Sequence, residues 1–258
     1  MIGLLDRSLR LVPGVAFIAA LLVAIEILVD RGLINRVLLP PPSVIGRTLY
    51  DLLLSGEVQG PLLATLGLFA VGFAIAVALG VVLGLLMGTV PWVDDLLDPL
   101  VELVRPMPKA ALVPVLILFL GLGVPMKITS IALASVFPIL INTVQGVRSI
   151  DPVLIATGRT FGWSGARITL RIVLPATLPF IAAGLRISVG IALLMTVLSE
   201  MLAGTGGLGA VILENQRSFR IRQMYAWLVL LAVIGLVISW GMTVAERRLA
   251  PWLEKHRR

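Results

Sequence analysis

Long apolar runs alternate with short polar connections along this chain, and the pattern predicts helices that cross a membrane. A run of about eighteen or more apolar residues spans the hydrocarbon of a bilayer. Six stretches qualify or come close: 11–29, 61–87, 111–123, 128–147, 180–203 and 225–244. The third is short; it is expected to start near Lys109 and to lean on Pro114. The reading is an all-α polytopic membrane protein with about six transmembrane helices, forming one domain over residues 1–258. Arg7 and Arg10 before the first run also suit a secretory signal. That run contains Glu26 and lacks a small-residue cleavage site, so a retained first span is expected.

Two connections break the pattern. In residues 38–54, Pro40, Pro41 and Pro42 cannot continue a helix. Ser43 is positioned to cap the amphipathic stretch 44–54, which reads as an interfacial helix on the outer leaflet. Residues 150–179 form a longer polar island with Arg159, Arg167 and Arg171 against Asp151 alone. Its glycines at 158, 162 and 165 predict two short helices broken at Gly162. Its arginines place it in the cytoplasm. A structured cationic elbow there suits contact with another protein.

Charge orients the whole chain. With both termini inside, the cytoplasmic segments hold Arg7, Arg10, Arg105, Lys109, Arg148, Arg159, Arg167, Arg171, Arg247, Arg248, Lys255, Arg257 and Arg258. The outer segments hold Arg31, Arg36, Arg47, Lys127, Arg217, Arg220 and Arg222. Arg186 completes the 21 basic residues, so the split is thirteen against seven. That bias, together with anionic head groups, explains the net charge of +7 without nucleic acid.

Composition narrows the chemistry. At 59% hydrophobic the chain is too apolar for a soluble globule. It has no cysteine, and its one histidine is His256, so thiolate metal sites, Cys nucleophiles and a His-based triad lack their residues. Gly204, Gly206 and Gly209 spell G-x-G-x-x-G but follow a membrane helix rather than a strand, so they read as a tight turn and gate-like segment near the outer mouth. No Walker A pattern occurs, so energy must come from another polypeptide or an ion gradient. Gly72, Ala76, Gly80, Gly84 and Gly88 line one face of the second span, as static packing or as a sliding surface.

Polar side chains inside spans are costly and mark a pathway or a packed partner. Asn142, Gln145, Arg186 and Glu200 are the candidates for pathway or gate, with Glu26 near one end. Arg186 either snorkels to the cytoplasmic surface or pairs within the bundle. Glu200 would repel an anion, so it reads as a structural partner or gate latch. Asn142 and Gln145 either line the pathway or cap helix ends.

The elbow carries a further signal. Gly162, then Ile172 to Pro175, with Pro179 and Gly184-Leu185-Arg186 beyond, resemble the cytoplasmic "EAA" loop of binding-protein-dependent ABC importers. Ala156-Thr157-Gly158 stands where that loop has Glu-Ala-Ala, so one charge of the contact is missing. The Leu38-to-Ser43 turn, Arg105-Pro106-Met107-Pro108, the run from Pro114 to Lys127 and the stretch from Ser199 to Gly209 resemble the nitrate, sulfonate and taurine permeases of that family. The resemblance implies a type I importer permease fold working as a homodimer, with the pathway at the two-fold interface. It implies two cytoplasmic ATPases that bind ATP and magnesium, an extracytoplasmic solute-binding protein, an inner-membrane location and no catalysis by this chain. It assigns ATPase coupling to Ala156, Thr157, Gly158, Arg159, Gly162, Arg167, Leu174 and Pro175. The transported solute would be a small anion or organic solute of the sulfonate, taurine or nitrate class. An ion-gradient-driven secondary transporter is the alternative; it would hold midplane carboxylates and inverted repeats. An intramembrane enzyme would need a nucleophile and base that the spans lack.

Overall fold

The computed structural model describes the backbone of residues 2–249 and the side chains of residues 13–245. Arg7, Arg10, Arg247, Arg248, Lys255, His256, Arg257 and Arg258, several of which were expected to mark the cytoplasmic side, lie outside the described side chains. Among the described residues every regular element is a helix. Contacts group the chain into two compact units, residues 1–60 with 211–231, and residues 61–210 with 232 onward.

In the first unit, α1 (Ile2–Asp30) is followed by α2 (Pro42–Ser55). Proline opens α2 because its missing N–H costs nothing in a first turn, and Gly56 closes it at φ 77°. The helix therefore starts at Pro42, and Ser43 is not its N-cap. Ser43 instead donates its N–H (3.0 Å) and its hydroxyl (2.5 Å) to the Glu26 carboxylate. A carboxylate from α1 thus satisfies one orphan donor of the helix start. Ile45 and Leu52 are buried while Tyr50, Leu53 and Leu54 are exposed, so α2 is apolar on more than its inner face.

The second unit is built on three long helices. These are α3 (Gln59–Thr89), α6 (Val124–Arg148) and α9 (Leu174–Ala203). Gly72, Gly80, Gly84 and Gly88 of α3 face Ile131, Ile139, Thr143 and Val147 of α6 in that order, so the two helices run parallel. A Cβ on any of these glycines would lie 2.5–2.8 Å from the Cβ of its partner. The small-residue stripe is therefore a packing surface that lets two backbones approach where lipid supplies no hydrophobic drive. Between α6 and α9 the numbering runs in opposite senses: Gly146 meets Thr177, Gly184 meets Ile139, and the Ser188 hydroxyl donates to Ser135 O at 2.7 Å. Hydroxyls of Ser130, Ser135, Thr143 and Thr196 bond the carbonyl four residues back, which satisfies them without water.

Parallel α3 and α6 require the intervening chain to return to the starting end. That return is made by α4 (Pro91–Val104), a 3₁₀ turn (Lys109–Leu112) and α5 (Val113–Leu120), bent by 93° at the break. The short third span starts at Lys109, as the sequence suggested, but the amphipathic α4 before it was not foreseen. Among the described residues five helices are long and apolar enough to cross a membrane, and six if the bent pair counts as one. The last of these crossings is α11 (Ile221–Leu249), preceded by α10 (Gly207–Arg217).

Candidate functional site

The polar island folds into one short helix and the root of a long one. Asp151 caps α7 (Pro152–Thr160), accepting the Val153 N–H at 2.8 Å, and Pro152 fills the first turn. The helix stops at Gly162, whose φ of +71° only glycine adopts without strain. There the Gly162 N–H donates to Arg159 O (2.9 Å) and the Trp163 N–H to Gly158 O (3.1 Å). The break falls where the sequence put it. The second short helix does not stand alone, however: α8 (Gly165–Ile168) runs through a π turn (Thr169–Val173) straight into α9. The fifth crossing therefore begins at Gly165, not near residue 180. Pro175 explains the π turn, because its missing N–H would have bonded the carbonyl of Arg171 in a regular helix.

The elbow packs closely on the root of α9. Gly158 is buried, and a Cβ there would lie 3.0 Å from Ile172 Cδ1 and 3.1 Å from Ile168 Cγ1. Arg167 and Arg171 stack over the Trp163 ring at 5.0 and 5.9 Å. Val147, Ile168 and Val173 form a buried cluster with Ile155, Trp163 and Ile172 against it, tying α7 to both α6 and the root of α9. The other side of the elbow is open: Val153, Leu154 and Phe161 are exposed, as are Ala156, Thr157 and Arg159. Phe161 is 75% exposed. A cleft of about 500 Å³ between Ile150, Pro152, Ile155, Ala156 and Arg159 adjoins this face. Leu174 is half-buried and Pro175 exposed at the root of α9.

The four pathway candidates do not converge on one site. Glu200 is fully buried. Its carboxylate accepts the Thr65 hydroxyl (2.8 Å to Oε1, 3.1 Å to Oε2) and the Gly209 N–H (2.9 Å to Oε2), while Thr65 Oγ1 accepts the Leu208 N–H at 2.8 Å. The glycine-rich segment is thus a left-handed turn, with Gly204, Gly206 and Gly207 at φ 65°, 60° and 87°, followed by the start of α10 held on a carboxylate. An anion at a helix N-terminus is favourable in charge and in hydrogen bonding. Lys127, counted above among outer cations, is buried beside this turn, its ammonium donating to Thr205 O at 2.5 Å. Thr65 and Lys127 are members of this cluster that sequence reasoning missed; a lysine in the first turn of an apolar helix was the available signal.

Asn142 is half-buried, donates to Pro138 O at 2.7 Å and lines a cavity of about 510 Å³ shared with Lys109. Gln145 is exposed and outside that cavity, so the two residues three apart do not share a site. Arg186 is exposed on α9. Among the described residues no cluster of His, Asp or Glu could hold a metal.

The sequence pattern of binding-protein-dependent transport system inner membrane components matches residues 76–251. The chain belongs to this family. The permease is 32% identical over 234 residues to the putative aliphatic sulfonates transport permease SsuC of Bacillus subtilis, covering 90% of this chain and 85% of that one. It is 30% identical over 256 residues to the taurine permease TauC of Escherichia coli (96% and 91% covered). It is also 31% identical over 253 residues to the bicarbonate permease CmpB of Synechocystis (93% and 89% covered). In fold it matches a chain of the inward-facing MetNI methionine ABC transporter, with TM-score 0.64 at 19% identity over 74% of this chain and 95% of that one. The permease is thus a multi-pass transport component of an ABC importer with the type I permease fold.

Proposed function

We propose that the permease conducts a small anion, of the sulfonate, taurine, nitrate or bicarbonate class, across the inner membrane, powered by a separate ATPase that docks on the elbow. The observation that carries this reading is the elbow itself: an exposed apolar and basic face on α7, anchored through Gly158 to the root of a 39-residue helix, Gly165–Ala203, that crosses the bilayer. A push on α7 has no soft joint in which to dissipate, because Ile168, Val173 and Val147 pack it against α6 and α9. The cleft beside Ala156 suits a side chain of the ATPase, with Arg159 supplying a positive charge in its lining.

In this reading Ala156, Thr157, Gly158, Arg159, Gly162, Arg167, Leu174 and Pro175 form the coupling surface and its hinge. ATP and magnesium belong to the ATPase, and the permease is not itself catalytic. The elbow and both termini face the cytoplasm, α2 lies on the outer leaflet, and a solute-binding protein delivers cargo from outside. Two permeases pair, with the pathway between them. The nitrate, sulfonate and taurine resemblance, and the bicarbonate permease among the relatives, support a small anionic cargo.

Copurification tests the proposal. The tagged permease, expressed with its genomic neighbours, should bring down a nucleotide-binding subunit in fixed ratio. Gly162→Leu should weaken uptake relative to ATP hydrolysis, through backbone strain at φ +71° rather than a clash, since nothing lies within 4 Å of a Cβ there. A permease that purifies alone and carries solute without ATP would overturn the assignment in favour of a gradient-driven carrier.

A further inference from the structure

Lys109 sits where a cation is costly. Its ammonium lies 4.7 Å from the centroid of the Phe137 ring. Phe137 is near the middle of α6, about 20 Å along the axis from Val124 and about 16 Å from Arg148 at ~1.5 Å per residue. The sequence had put Lys109 and Arg105 in a cytoplasmic segment; the 93° break between α4 and α5 carries Lys109 against mid-helix instead. Ionisable groups at such depth face a bundle interior or a water-filled cavity and mark solute paths. Broken helices at membrane depth are tolerated where they line such a cavity.

The lysine has hydrogen bonds but no counter-charge. It donates to the carbonyls of Val104 (2.5 Å), Arg105 (3.0 Å) and Met107 (2.9 Å), at and just beyond the end of α4. Among the described residues no carboxylate lies within ion-pair distance of it, whereas Arg105 is engaged by Glu102 at 3.3 Å. The cavity of about 510 Å³ beside it is walled by Phe137, Ile191, Leu194 and Met195, with Asn142 opposite. Asn142 uses one amide hydrogen on Pro138 O and keeps a second. Such a site offers one net positive charge, one N–H and an apolar wall, within the size range of small-molecule pockets.

We propose that this mid-span cavity binds a small organic anion with a compact anionic head and a short apolar body, with Lys109 supplying the charge and Asn142 the N–H. The proposal deepens the reading of the permease as an anion conductor and rests on it. Residues at the break then act on the solute directly, beyond any choice made by a binding protein.

The test uses the full chain in lipid nanodiscs, without ATPase or binding protein, and ethanesulfonate as probe, followed by saturation-transfer NMR. Saturable binding is expected, absent for ethylammonium. Lys109→Gln should weaken it about tenfold and Lys109→Arg should retain it. Lys109→Gln also removes the cap of α4, so Leu194→Trp provides the second probe: Leu194 is 63% exposed, and the indole fills the cavity without touching the cap. Undetectable binding to the native chain, or binding that Leu194→Trp leaves unchanged, would overturn the site. ATPase copurification is read separately, on tagged permease expressed with its genomic neighbours. A chain that binds ethanesulfonate but recruits no ATPase keeps this site and loses the coupling model; the reverse result keeps the coupling model and loses the site.

Discussion

Replacing Glu200 with glutamine removes one acceptor from a buried cluster in which every acceptor is used. Oε1 takes the Thr65 hydroxyl and Oε2 takes the Gly209 N–H, while Thr65 Oγ1 is already occupied by the Leu208 N–H. If the new amide group faces Gly209, two donors oppose each other. If it faces Thr65, the hydroxyl keeps only the longer 3.1 Å contact to Oε2, which the Gly209 N–H already occupies. Either way one bond to a charged acceptor disappears, at a cost of about 1.5–3 kcal/mol. For a chain of this length that corresponds to a drop of roughly 3–12 °C in the unfolding midpoint, followed by tryptophan fluorescence in nanodiscs. A local readout separates this clamp from general damage. Amide exchange at Leu208 and Gly209 should accelerate roughly 10- to 100-fold, since each ~1.4 kcal/mol is tenfold. Thr65→Val should expose Leu208 in the same way, and the double variant should cost less than the sum, because both changes cut one network. Glu200→Gln with native stability and native protection at both amides would refute the assignment of Glu200 as the residue that holds the start of α10.

Gly207→Ala attacks the same clamp from the backbone side: φ is 87° and the new methyl would overlap the Glu200 carboxylate, so thermal stability should fall at least as far as in Glu200→Gln. Gly84→Ala should destabilise by about 1–3 kcal/mol, because its Cβ would lie 2.6 Å from Thr143 Cβ and 3.0 Å from Leu140 O. Gly67→Ala on the same helix has nothing within 4 Å and should be neutral or slightly stabilising in the same melt. On the elbow, Val153→Asp with Phe161→Asp should abolish ATPase copurification while leaving the melting midpoint unchanged, since both side chains are exposed.

Much of the fold was legible because periodicity and small residues report on it directly. The stripe from Gly72 to Gly88 announced a close helix contact, and Ile131, Ile139, Thr143 and Val147 fill it. Gly162 announced a stop, and its φ shows why only glycine serves there. What the sequence concealed came from tertiary partners. Ser43 looked like a cap because its neighbours suit one, yet the Glu26 carboxylate, 17 residues away, claims its hydroxyl. The run after Gly165 looked like a second short helix, yet the π turn Thr169–Val173 carries it into α9 without a break, with Arg167 and Arg171 stacked on Trp163. The α4 helix escaped notice because its acidic positions hide an amphipathic period that only its packing on Leu140 and Val144 makes evident.

The two lysines show where charge counting loses information. A positive-inside count treats every cation outside a span as surface, which is sound for a flexible loop and wrong for a helix that folds back. Lys109 caps carbonyls beside the middle of α6, and Lys127 is 4% exposed beside the α9–α10 turn. Removing both leaves twelve cytoplasmic cations against six outside, so the orientation bias survives the correction. The discarded residues are the informative ones. A lysine beside an apolar run is retained only if carbonyls, a cavity or a solute repay its desolvation. Lys127 has its carbonyl and the Thr205 hydroxyl at 3.4 Å, and nothing on that side calls for a ligand. Lys109 has three carbonyls and still faces about 510 Å³ of open space with no carboxylate in reach, and that difference makes the break between α4 and α5 the place to look for the solute.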